Sequence, residues 1–209
     1  VRKRLLVAAA ALSLWLAAGC TQIAPGQAVP VSDNSTSTSQ PPSSGSSGPA
    51  TPTVEIPPRP RDVSLDGLDP CTLFSAAQRA QLHVNDVRSG TADGDHYKGM
   101  KDCNMDVSVQ DTFYSFHVLA VTFEGIEEWF VAGNRNVDAT LTSIGGFPAA
   151  EFHFLDVENE GCTLAIDVKD KQYLQVEMVP TSAGFKQDQI CQMSEQAGEM
   201  AIATLQTLR

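Results

Sequence analysis

Residues 68–209 predict an α+β domain, an antiparallel β-sheet packed with an N-terminal helix, a middle helix and a long C-terminal helix. Three observations carry this expectation. Leu164, Ile166 and Val168 alternate with polar neighbours, and Leu174, Val176 and Met178 do the same after the Asp170-Lys171 turn, which is the pattern of a hairpin with one buried face. Ile190, Met193, Ala197, Ala201, Leu205 and Leu208 keep helical spacing. The remaining periodic segments follow in the order helix, strands, helix, strands, and where their connections are short they call for hairpins, hence antiparallel pairing.

Taken in order, Ser75 followed by Gln78 is a capping-box pattern that opens a short helix through Ala76 to Leu82. Met105–Val109 reads as a strand. Phe113–Phe123 reads as a longer one whose two faces are both largely apolar, as in a central strand covered on each side. Ile126–Ala132, with Trp129 and Phe130, reads as a middle helix stopped at Gly133. Thr140–Ile144 and Ala149–Leu155 flank a Gly145-Gly146-Phe147-Pro148 turn. The last helix starts at about Gln189, and its small residues Ala197 and Ala201 let it lie close on the sheet.

Two segments of different character precede the domain. Residues 1–19 are expected to be a lipoprotein signal peptide: Arg2, Lys3 and Arg4, an apolar run from Leu5 to Leu16, then Ala17, Ala18 and Gly19 before Cys20. The run is shorter than the ~20 apolar residues a membrane span needs, so Cys20 is expected to carry the lipid that tethers the chain. Ala17 stands three before the cysteine, where bacterial lipoboxes most often carry Leu. Residues 20–67 are then the lipidated cysteine and a disordered Ser/Thr/Pro linker, with no aromatic side chain and little apolar surface to offset the entropy of ordering it. A flexible tract of this length spans roughly 40 Å, enough to hold a domain clear of a bilayer.

The formal net charge is −11. Loss of residues 1–19 leaves 25 acidic residues against 11 basic ones, a net charge of −14. Such a surface repels phosphate backbones and anionic headgroups, which excludes nucleic acid as a partner and leaves the lipid as the route to the membrane.

With Cys20 assigned to lipid, Cys71, Cys103, Cys162 and Cys191 remain, an even number at wide spacing, which in an exported chain reads as disulfides. Four cysteines allow three connectivities. Pairing Cys71 with Cys103 and Cys162 with Cys191 is favoured, because each closes a local loop of about thirty residues and each would add roughly 3 to 4 kcal/mol by chain entropy.

Catalytic constellations are not evident. The sequence holds no G-x-S-x-G elbow, S-x-x-K, H-E-x-x-H or Gly-rich phosphate loop. His117 falls within the central-strand candidate and His153 between Phe152 and Phe154, so both read as packed or edge residues, and His83 and His96 as loop or element-end residues. Asp93-Gly94-Asp95 and the run Asp156, Glu158, Glu160 offer oxygens of the kind calcium takes, but neither keeps EF-hand spacing, and acidic turns are usually solvated. Trp129 and Phe130 read as core rather than as the lining of a ligand groove. No catalytic residue, metal or cofactor is expected.

Asp69-Pro70-Cys71 before a short helix, Cys103, the Gly145-Gly146 turn leading to Ala149-Ala150, Cys162 opening a strand and Cys191 opening the last helix together resemble an actinobacterial envelope lipoprotein family of unknown function (domain of unknown function 3558). The resemblance covers residues 66–209, with a signal and linker ahead of them that match it too. Met105 departs from it, standing where the family commonly has an aromatic residue. The resemblance implies locally paired disulfides, a sheet-and-helix domain similar to the PsbP-like fold, and no activity. The expected function is that of a non-catalytic binding or accessory module, lipid-anchored to the cell membrane on its extracytoplasmic side and engaging an envelope protein, lipid or glycan. A hydrolase without a motif and an inert surface coat protein are the alternatives.

Overall fold

The computed structural model describes residues 54–133 and 135–208. The expected signal peptide, Cys20 and the linker up to residue 53 lie outside the described residues. Seven strands form one antiparallel sheet: β1 (Asp86–Thr91), β2 (Lys101–Val109), β3 (Thr112–Val121), β4 (Thr140–Ile144), β5 (Phe147–Phe152), β6 (Cys162–Lys169) and β7 (Gln172–Pro180). Their order across the sheet is β1-β2-β3-β7-β6-β5-β4. Two short helical pieces, Pro70–Leu73 and α1 (Ala76–Gln81), precede β1, a five-residue 3-10 turn (Ile126–Phe130) follows β3, and α2 (Gln187–Leu205) ends the fold.

The expectation of three packed helices is corrected. The Ser75–Gln78 capping box forms, but α1 has six residues, none of them buried, and His83 turns the chain away with φ 59°. Ala-Ala-Gln-Arg-Ala-Gln presents no apolar stripe, so nothing holds this piece on the sheet as a layer. The middle helix is a single 3-10 turn. Gly125 offers no capping side chain, and one turn already buries Ile126, Trp129 and Phe130, after which Val131 returns to extended backbone. So short a segment gains too little from propagation to extend into an α-helix. One long helix therefore covers the sheet.

That helix packs on one face through Ile190, Ala197, Ala201, Ile202 and Leu205 against Leu164, Ile166, Val176, Met178 and Phe116. Gly198 allows close approach: a Cβ there would stand 3.0 Å from Leu164 Cδ1 and 3.2 Å from Ile144 Cγ2. Gly198→Val is expected to lower stability by about 1–3 kcal/mol in urea unfolding, the usual result of overpacking.

Because β4 sits at the edge far from β3, the chain between them crosses the sheet on the opposite face. It carries Trp129 and Phe130 onto Leu119, Val121, Phe152, Ala165 and Tyr173, forming a second core. The sheet is thus covered over most of one face and over part of the other.

Residues 54–67, placed with the linker by composition, include packed chain. Val63 and Leu65 are buried in the main core, and the Val63 N–H donates to Val168 O at 2.7 Å. The Arg59 guanidinium donates to both Asp167 oxygens at 2.8 and 2.9 Å. Burial pushes the Asp167 carboxyl up while Arg59 holds it down. Arg59→Ala removes that restraint and raises the carboxyl further. A carboxyl raised in the folded state binds protons that the unfolded chain releases, so the loss in the variant is expected to grow as pH rises past about 4, and to fade below it.

Candidate functional site

Strand register places Arg88 opposite Asn104, Asn104 opposite His117, His117 opposite Glu177, and Glu177 opposite Thr163. These five side chains form one row across five strands, at strand spacings of about 4.8 Å. They alternate with Cys103, Met105, Val118, Val176 and Leu164 of the main core, so the row lies on the face away from α2. The adjacent row on this face runs Asp102, Leu119, Gln175, Ala165, and the next pairs Val121 with Tyr173 and Tyr173 with Asp167. The face therefore passes from a covered apolar end at Tyr173 to a more open polar end, where His117 is exposed, Glu177 half-buried and Thr163 buried.

Charge on the open end is mixed and mostly acidic. Arg88 pairs with Asp106 at 2.6 Å and with Asp86. Loss of water pulls the His117 imidazole below its ordinary pKa, against the pull of Asp106 and Asp102. Burial pushes the Glu177 carboxyl up, opposed by a hydrogen bond from the Thr163 hydroxyl. Asp102 Oδ1 and Gln175 Oε1 are buried without a hydrogen-bond partner. Acceptors without a partner and a carboxyl held at a cost are unusual in a core. Glu177→Gln is accordingly expected to raise the thermal midpoint at pH 7, with the gain vanishing near pH 4, where both states bind the proton.

At the covered end Glu124 gathers three donors. Tyr173 Oη donates to its Oε1 at 2.7 Å, Arg135 Nη2 donates to both oxygens at 3.0 and 3.1 Å, and His96 Nε2 lies 3.0 Å away. Tyr97 Oη, 3.0 Å from Tyr173 Oη, completes the chain as donor, since the Tyr173 proton is already given to Glu124. Arg135 lies 4.0 Å over the Trp129 ring, and Trp129 stacks on Phe152 at 3.8 Å. With both oxygens engaged, Glu124 is a lock joining the crossing chain, the β1–β2 loop and β7, not a base open to substrate.

Burial raises the pKa of both Tyr173 and Tyr97 above the ordinary tyrosine value, with Tyr97 and Glu124 adding to the rise at Tyr173. Their folded-state protons stabilise the domain below about pH 10 and are lost from the unfolded chain first as pH rises. Stability is expected to fall above about pH 10, and Tyr173→Phe to flatten that fall in a pH series of unfolding curves.

The structure joins Cys71 to Cys103 and Cys162 to Cys191, the pairing favoured from loop length. Trp129 and Phe130 are core, as expected. His83 and the Asp93 and Asp95 turn are exposed. Asp156 accepts from Asn136 at 2.8 Å, whereas Glu160 lines a separate pocket of about 130 Å³ with His153, Phe154, Thr163 and Glu177. Asp156 and Glu160 thus have different partners. Among the described residues, Glu151, Cys162 and Cys191 bring ligand-type atoms within 4.8 Å of one another, but both sulfurs belong to the disulfide. A cleft of about 390 Å³ lies between Pro57, Arg59, Ile126, Asp167 and Lys171. Sequence reasoning did not single out Glu124, Tyr97, Tyr173, Arg135 or Glu177. The acidic residue closing an apolar strand at Glu124, and Glu177 inside an alternating strand, were the available signals.

A family model described as protein of unknown function (DUF3558) matches residues 15–204, so the chain belongs to this family. No curated protein and no solved structure matches the chain.

Proposed function

We propose that this member of the family is an extracytoplasmic binding module, anchored to the membrane through a lipid on Cys20, that holds an envelope partner on the open polar half of its sheet. The observation that carries the binding reading is the register row Arg88, Asn104, His117, Glu177 and Thr163, beside the buried, unpartnered acceptors of Asp102 and Gln175. Acceptors left over and an acidic surround fit a partner that presents hydrogen-bond donors and positive charge. Two disulfides are consistent with an oxidising compartment. The small residues before Cys20, the basic residues ahead of the apolar run and the actinobacterial lipoprotein resemblance support the anchor.

Two experiments test the two halves. Metabolic labelling with a fatty acid is expected to mark the wild-type chain and to leave Cys20→Ser unmarked, since stable anchoring rests on acyl chains worth about 0.8 kcal/mol per buried methylene. Equal labelling would remove the anchor. Chemical crosslinking in the native envelope is expected to yield an adduct that weakens with salt and is lost in Glu177→Lys. Turnover in an esterase, peptidase or glycosidase panel, abolished by changing His117 or His153, would replace the binding reading with the hydrolase alternative.

A further inference from the structure

Each disulfide joins a fully buried cysteine to a half-buried one, Cys162 at the start of β6 to Cys191 on α2 and Cys103 on β2 to Cys71, and the two differ in the groups around the sulfurs. The Glu151 carboxylate, on β5, reaches within 4.8 Å of both sulfurs. Glu195, one turn beyond Cys191, hydrogen-bonds to Glu151, and burial together with the Glu195 charge raises the Glu151 carboxyl above its ordinary pKa. Gln187 Nε2 lies 3.6 Å from Cys191 Sγ and donates to Gly161 O at 2.8 Å, while its Oε1 accepts from the Asn159 N–H at 2.9 Å, so its amide is fixed toward the sulfur. No such carboxyl stands within reach of both sulfurs of Cys71–Cys103 among the described residues.

We propose that Cys162–Cys191 is an exchangeable disulfide, open to a dithiol at Cys191, with Glu151 as the proton donor to Cys162. An incoming thiolate attacks the more accessible Cys191 Sγ, forming a mixed disulfide, and the electron pair of the broken bond goes to Cys162 Sγ. A thiolate there would be a bare charge in an apolar core. Glu151 gives it a proton, which leaves both carboxylates of the Glu151–Glu195 pair charged until one is reprotonated. The second thiolate of the dithiol then attacks the mixed disulfide, releasing the Cys191 thiolate to the Gln187 amide while the dithiol leaves oxidised. The carboxyl pair regains its proton from solvent.

The scaffold outlasts the bond. Ser194 Oγ, fully buried, donates to Cys162 O at 2.7 Å and accepts from the Met178 N–H at 2.9 Å, pinning α2 to β6 and β7 whether or not the sulfurs are joined. The two thiols therefore stay adjacent and can re-form the bond.

Limiting dithiothreitol added to the full chain, with timed alkylation and peptide mapping, reads the two bonds separately. Cys162–Cys191 is expected to open at least ~10-fold faster than Cys71–Cys103, without loss of far-ultraviolet circular dichroism, and to re-form on removal of the reductant. Glu151→Gln is expected to slow that opening about tenfold and to leave Cys71–Cys103 unchanged, a modest part of what a positioned acid supplies because a thiolate also leaves unprotonated. Equal rates, the reverse order, unfolding on the first reduction, or an unchanged rate in Glu151→Gln would each overturn the proposal.

Discussion

Replacing Glu124 with alanine is expected to lower stability by about 3–5 kcal/mol, the range for breaking a buried ion pair from one side. The Glu124 side chain is 12% exposed and Arg135 20%, so water does not readily take the place of the lost carboxylate. The Arg135 guanidinium would be left over Trp129 with no counter-charge, the buried Tyr173 hydroxyl would lose its acceptor, and Tyr97 would lose the order that Tyr173 imposes. Glu124→Gln keeps an acceptor for Tyr173 and is expected to fall between wild type and alanine. Urea unfolding of the three proteins decides it, and a loss below about 1 kcal/mol for the alanine variant would mean that the network is a surface ion pair of little weight.

Removing the Cys71–Cys103 bond as Cys71→Ala with Cys103→Ala is expected to cost about 3 kcal/mol, or roughly 10 °C in thermal midpoint. The bond closes 32 residues and fixes the Pro70–Leu73 turn, which sets Leu73 and Phe74 into the core, onto β2. Cys103 itself is fully buried, so its truncation adds a small cavity to the lost chain constraint. Cys162→Ala with Cys191→Ala removes a loop of 29 residues but leaves the Ser194 hydrogen bonds that hold the same elements. Its loss is expected to be the smaller of the two in scanning calorimetry.

The legible parts of the fold were those with an uninterrupted period. β6, β7 and α2 carry their apolar residues at strict spacing, and the sheet built on them is where alternation placed it. β1 escaped notice because Asp86, Arg88, Ser89 and Gly90 give an edge strand in which Val87 alone packs on the main core. The N-terminal and middle helices expected around the sheet fail to form layers for the opposite reason. A good cap at Ser75 and an apolar triplet at Ile126, Trp129 and Phe130 are local signals, and neither segment is long enough to make a helix a packing layer. Val63 and Leu65 were hidden among proline and charge, although they sit deep in the core.

The candidate site was less legible than the fold. Glu124 and Tyr173 are 49 residues apart and meet because β7 pairs with β3, a pairing that no local pattern announces. His117 and Glu177 are brought opposite each other by the same pairing. The disulfides were accessible because loop length favours one connectivity, whereas the Glu151 carboxyl beside Cys162 and Cys191 depends on how β5 and α2 converge.

A photo-crosslinking amino acid at position 117, compared with one at exposed Gln196 on α2, tests in the native envelope whether the open half of the sheet, and not the helical face, meets the proposed partner. One discrete adduct is expected from position 117, lost in Glu177→Lys, and none from position 196. An adduct from position 196 alone, or the same adduct from both positions, would contradict this reading.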